Sequence, residues 1–153
     1  MKKNKILSLI DMLETKVTSY NKVNSNISAT TVGWHIAHTL MVLINVTENI
    51  KLSKPEEFKS NFNFVRTIVF ILNKIPRGKG KAPKSVQPNT VITLEQLKRN
   101  ITLAKEKINE LYTLDKNKHF AHPFFGDVKL KGCIKFLQIH TTHHLKIIED
   151  ILK

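Results

Sequence analysis

One cysteine, Cys133, is all the chain carries, so no internal disulfide can form and the sequence suits a reducing compartment. Five glycines and five prolines exclude a collagen-like or low-complexity chain. Long apolar runs are missing. The stretch "IVFIL" at 68–72 is far too short to span a bilayer, so no membrane partner is expected. No secretory leader is expected either. The start "MKKNKILSLI" is basic and then apolar, but Asp11 and Glu14 interrupt it and no small-residue cleavage site follows. It reads as the first helix of a cytoplasmic protein. Large stacking aromatics are thin, with one Trp and two Tyr. Acidic residues are scarce as well: 12 against 25 Lys and Arg, a formal charge of +13. Such a surface attracts anions. The cations are scattered along the whole chain, so most of the charge reads as solvated surface and nucleic acid is not the favoured partner.

What is present is ordinary for a globular protein: 41% hydrophobic and 24% charged residues in a chain of 153, enough for a single domain over 1–153. Ile6, Leu9, Ile10, Leu13 and Val17 recur at helical spacing and predict a helix over 4–20. Ser28 is placed to cap a long second helix through "VGWHIAHTLMVLINVTENIKLS", which Pro55 breaks. Residues 62–75 are strongly apolar and fit a helix or a strand by pattern; they are assigned a shorter helix because no partner strand is evident. The segment 76–89, "PRGKGKAPKSVQPN", is the one clear loop. Thr93 and Gln96 form a capping box for a helix running to about Tyr112. "HPFFGD", 122–127, is a turn, and a last helix runs from about Lys129 to Leu152. No alternating strand pattern stands out. The prediction is all-α: four long helices with a short helical insert, most simply a four-helix bundle.

Histidines carry the chemistry. In "HTTHH" the pair His140 and His144 stands at i and i+4, one turn apart on one face. At ~100° per residue, Leu137, Ile147 and Ile151 lie within roughly 60° of His140, so the pair sits inside the apolar stripe. His143 falls near the edge of that stripe. In "GWHIAH" the same rule puts His35 beside Val32, Val42 and Val46, and turns His38 toward Thr31, Asn45 and Asn49. One histidine from the second helix and two from the last make a three-nitrogen site on facing helices. Three neutral imidazoles suit zinc, nickel or iron(II) and leave a coordination position open for water or substrate. The plain alternative is a set of core histidines that only hydrogen-bond.

Other motifs fall short. Thr141 and Thr142 stand where the metalloprotease pattern H-E-x-x-H keeps its Glu, so no general base is built in. "GKGKAPKS" lacks phosphate-loop spacing, and Pro83 stands where a helix should begin. It reads as a solvated basic loop, or else as a surface for an anionic partner. Cys133 lies roughly 10 Å along the axis from His140, too far to share its metal, and reads as a core thiol. His119 and His122 lie near the predicted turn, where His122 reads first as part of a packed corner and otherwise as a residue reaching the pocket mouth.

These motifs together resemble the DinB/YfiT-like superfamily. "HTTHHLKII" is similar to its last-helix signature, H-x-x-H-H before an apolar turn, in which the first and last His bind metal; here they are His140 and His144. "SATTVGWHIAHTL" is similar to its second helix, and Ser28, His35, Ala37 and Thr39 match in one register. A second register, with Trp34 four residues before the ligand, selects His38 instead. "AHPFFGDV" resembles the corner of the DUF1569 branch. The resemblance implies an up-down-down-up four-helix bundle, a divalent metal held by three histidines, and a tendency to dimerise. It also implies a metal-dependent enzyme acting on a small molecule, such as a thiol S-transferase that activates a low-molecular-weight thiol, or a hydrolase. A basic helical binding module for an acidic partner or nucleic acid is the alternative expectation.

Overall fold

In the computed structural model, residues 3–88 and 91–153 are described. Asn89, the end of the predicted loop, and Met1 and Lys2, the start of the predicted single domain, lie outside the described residues. Five helices and one small hairpin follow one another: α1 (Lys3–Glu14), α2 (Val32–Leu52), α3 (Phe64–Leu72), α4 (Leu94–Leu111), strands β1 (His119–His122) and β2 (Gly126–Lys129), and α5 (Leu130–Ile151). The expectation of a mostly helical chain holds. No described helix is long and apolar enough to cross a membrane.

The first predicted helix is too long by six residues. It stops at Glu14, and Val17–Ser19 forms a tighter 3-10 turn. The Thr15 hydroxyl donates back to the Met12 carbonyl at 2.7 Å and the Lys16 amide donates to Leu13 at 3.0 Å, so the last turn narrows instead of propagating. Val17 stays buried, which is why the apolar periodicity carries past the true end.

The α2 cap is Thr31, not Ser28: the Thr31 hydroxyl accepts from the Trp34 amide at 3.1 Å. Two backbone bonds moor this end of α2 to the preceding connection, Val32 N–H to Lys22 at 2.9 Å and Gly33 N–H to Tyr20 at 2.7 Å. A Cβ at Gly33 would meet the Tyr20 carbonyl oxygen at 2.8 Å, so only glycine allows this approach. The start of α2, whose first two turns carry the two histidines, is thereby fixed in place.

One continuous apolar cluster fills the space among α1, α2, α4 and α5. Ile6, Ile10, Leu13, Ile36, Leu40, Leu43, Leu97, Ile101, Ile108 and Leu137 are essentially fully buried in it. α2 packs on α4 and α5, and α1 packs on the same two helices. Thr93 caps α4 as expected, accepting from the Gln96 amide at 3.2 Å.

α3 stands apart. It is capped by Asn63, which accepts from the Arg66 amide at 2.8 Å, and it ends at Asn73 in the left-handed region, φ 49°. Both ends fall inside the predicted 62–75.

The hairpin is the main departure from an all-α chain. β1 and β2 pair antiparallel with His119 opposite Lys129 and His122 opposite Gly126. Four-residue strands are too short to show a period of two, and only the turn between them was visible in the sequence. Gly126 has φ +68°, and a Cβ there would run into the Asn61 side chain. The hairpin feeds directly into α5, whose predicted bounds differ from those observed by one residue at each end.

Candidate metal centre

His35 and His38 sit in the first two turns of α2, and His140 and His144 sit midway along α5. All four are buried between the two helices. His38, His140 and His144 form a compact group in which one nitrogen from each lies within 4.8 Å of the others. His35 touches the group at one edge: its Nδ1 is 3.0 Å from Nδ1 of His144. The structure therefore gathers both sequence candidates from α2 but groups His38, rather than His35, with the α5 pair.

Hydrogen bonding separates the roles of the two. His38 Nδ1 donates to the Val86 carbonyl at 2.7 Å. That bond fixes the tautomer and leaves the Nε2 lone pair facing inward, where it meets His140 Nε2 at 3.2 Å. The Trp34 ring stacks on His38 at 5.1 Å and 13°, holding the imidazole plane. His35 is occupied at both nitrogens. Its Nε2 lies 2.9 Å from the Ser28 hydroxyl and 3.1 Å from that of Thr30, and its Nδ1 faces His144. Ser28, expected as a helix cap, serves this ring instead.

His38 is buried, against the polar side of α2 that its helical angle gives it, for a physical reason. Thr31, Asn45 and Asn49 make its side of α2 look like solvent, but the chain after the basic loop lies over it. Asn45 donates to the Ser85 carbonyl at 3.3 Å and Val86 reaches His38. A contact between residues 48 apart leaves no local mark in the sequence. The Trp34–His38 spacing was the one available signal, and it belonged to the second register.

Burial keeps all four rings neutral. It lowers His35 to about 4, with His38 and His143 repelling any added proton. It lowers His38 as well, against the opposing pull of the Val86 carbonyl. His140 and His144 fall well below the ordinary histidine range, again through burial first and the neighbouring imidazoles second. Neutral imidazole is the metal-binding form. His140 Nδ1 has no hydrogen-bond partner among the described residues, so hydrogen bonding does not account for the whole cluster.

The remaining candidates take structural places. His143 is half-buried and stands edge-on to His144 at 5.1 Å. His122 is held in the hairpin turn: its Nδ1 accepts from the Phe124 and Phe125 amides at 3.1 and 3.2 Å, and its ring stacks on Phe125 at 4.1 Å. Phe136 lies against both His122 and His140, so His122 backs the cluster through an aromatic wall. The Cys133 thiol is buried, donates to the Val128 carbonyl at 2.9 Å and is pushed up to about 12 by burial, which makes it a core residue and a poor nucleophile. A hollow of about 410 Å³ opens beside the cluster, and its lining among the described residues includes Thr30 and Trp34 but none of the four histidines.

The chain matches no protein-family model, and no curated protein or solved structure matches it.

Proposed function

We propose that this protein binds one divalent metal ion through His38, His140 and His144 and uses it in an enzyme acting on a small molecule. The observation that carries this reading is the pair of inward nitrogens, His38 Nε2 and His140 Nε2, 3.2 Å apart with His144 beside them. Two nitrogens bound at ~2.0–2.1 Å to one tetrahedral ion stand about 3.4 Å apart. The donors are neutral, and one tautomer is already set by a backbone carbonyl, as a ligand histidine requires. The ligand set of the sequence expectation, His35, His140 and His144, is thus kept with one exchange.

His35 then becomes a positioning residue. With Nε2 of His144 given to the ion, its Nδ1 carries the proton and donates to His35 Nδ1. His35 in turn carries its proton on Nε2 and donates to Ser28 and Thr30. One chain of hydrogen bonds fixes every tautomer from the Ser28 hydroxyl to the His144 ring.

A metal so held supplies a Lewis acid and lowers the pKa of a water or thiol at its open position. The histidines orient that position, and Trp34 and Phe136 keep the walls apolar. The resemblance to the DinB/YfiT-like superfamily and its DUF1569 branch supports a thiol S-transferase-like or hydrolase-like reaction, an up-down-down-up arrangement of α1, α2, α4 and α5, and a homodimer. Metal analysis of protein purified without a histidine tag tests the reading, beside a His140→Ala/His144→Ala variant. If the wild type carries no more zinc, nickel or iron than the variant, the proposal fails.

A further inference from the structure

α3 presents the wrong face to solvent for an ordinary surface helix. Taking ~100° per residue, Ile71, Phe64, Ile68, Leu72 and Val65 fall within an arc of about 120°. All five are exposed, Phe64 at 67% and Ile71 at 70% of their full accessible area. The opposite arc faces the protein: Val69 is buried, and the Phe70 ring meets Phe125 edge-on at 6.0 Å. Arg66 straps that inner side to the hairpin, donating to the Phe125 and Asp127 carbonyls at 3.1 Å each. The apolar arc is therefore held outward by fixed contacts. Two more exposed rings extend it, Phe62 just before the helix and Phe124 in the hairpin turn, whose carbonyl accepts from the Asn63 side chain at 2.9 Å.

The chain segment that carries this face has charge of one sign. Residues 58–88 contain Lys59, Arg66, Lys74, Arg77, Lys79, Lys81 and Lys84 and no Asp or Glu. Arg77 pairs with Asp150 at 2.8 Å, whereas Lys74, Lys79, Lys81 and Lys84 are exposed and make no ion pair among the described residues. A contiguous exposed apolar surface marks an interaction site. At this face a second copy of the chain would bring another all-cationic segment against it. An anionic bilayer offers the complementary charge, and a helix with Phe, Ile and Leu on one side and lysines beside it has the composition that settles into a headgroup layer.

We propose that the exposed face of α3 seats this protein on an anionic lipid surface, with the basic 74–84 loop supplying the electrostatic half of the contact. This departs from the sequence expectation of no membrane partner, which rested on the absence of a spanning run. Contact at a surface needs no such run. The inference is independent of the metal centre.

The test is co-sedimentation of the full chain with vesicles of phosphatidylcholine alone and of phosphatidylcholine mixed with phosphatidylglycerol. Binding is expected only to the mixed vesicles. Ile68→Ser/Ile71→Ser, whose side chains point outward, should keep the wild-type circular dichroism and lose roughly tenfold or more in binding. Lys79→Gln/Lys81→Gln/Lys84→Gln should lose about fivefold per lysine near the surface at low salt. Absence of binding to mixed vesicles at low salt overturns the proposal. So does undiminished binding by the serine variant, which would reduce the effect to bulk charge. A concentration-dependent dimer that the serine variant abolishes would give the face to a second copy, and a face that retains DNA in place of vesicles would give it to nucleic acid.

Discussion

Replacing His35 and His38 one at a time gives the sharpest discrimination, because the two rings are equally buried yet hold different partners. His38→Ala removes a proposed ligand. Structural zinc sites release ~10–16 kcal/mol over four ligands, so one ligand is worth about 3 kcal/mol, a loss of two orders of magnitude or more in affinity. His35→Ala leaves the triad whole but frees Nδ1 of His144, 3.0 Å away. Losing such an outer partner costs ~10–100-fold. These ranges meet at their edges, so the conservative variants decide. Asn at position 35 can still offer its amide oxygen to the His144 N–H, and His35→Asn should recover to within a few-fold of wild type. His38→Asn has no nitrogen lone pair to replace Nε2 and should stay at the level of His38→Ala. The assay is competitive zinc titration against a chromophoric chelator, with circular dichroism to confirm folding. If His38→Ala binds like wild type, or if His35→Asn binds no better than His35→Ala while His38→Asn is rescued, the assignment of ligand and positioning residue is wrong.

The remaining predictions concern stability. Chelator-treated protein should lose stability as pH falls, because His35, His38, His140 and His144 titrate below the unfolded value near 6.5. The unfolded chain takes the proton first, so the contribution is complete above pH 6.5 and lost on the way down to about 4, where His35 titrates. His35 alone accounts for roughly 3 kcal/mol over that window, and His140 and His144 act in the same direction. A thermal midpoint of the chelated protein that stays constant from pH 7 to 4.5 would contradict this. Zinc at a hundredfold excess over its dissociation constant adds ~2.7 kcal/mol, which for a chain of this size raises Tm by about 5–11 °C in scanning calorimetry. The His38→Ala/His140→Ala/His144→Ala variant should show no such rise. Gly126→Ala should cost ~1–3 kcal/mol in urea unfolding, since its φ of +68° and the Asn61 side chain both oppose a Cβ. A neutral result would show that the hairpin turn relaxes freely.

The helices and the α5 half of the site were legible in the sequence because both rest on local periodicity. Leu137, His140, His144, Ile147 and Ile151 share one stripe, and all are buried. What escaped depends on contacts between distant residues. The Val86 carbonyl that orients His38, and the Ser85 carbonyl that anchors that stretch to Asn45, make a polar-looking flank of α2 an interior one. Ser28 shows the converse: a good capping residue by type, diverted to a ring seven positions on. The hairpin was missed because four residues per strand carry too little pattern, and α1 was overextended because Val17 is buried outside the helix. The outward face of α3 was visible only as an apolar run. Its pattern fitted a helix or a strand alike, the helix was assigned for want of a partner strand, and nothing local told the side it would turn to solvent.

The central claim is that one ion is held by His38, His140 and His144. X-ray absorption at the metal edge, recorded on the zinc-loaded wild type and on each histidine variant, tests it most directly. The account predicts three imidazole nitrogens at about 2.0–2.1 Å in the wild type and in His35→Asn, and two in each of His38→Ala, His140→Ala and His144→Ala. A wild-type shell with no imidazole, or a shell that loses a nitrogen with His35→Asn but not with His38→Ala, would contradict it.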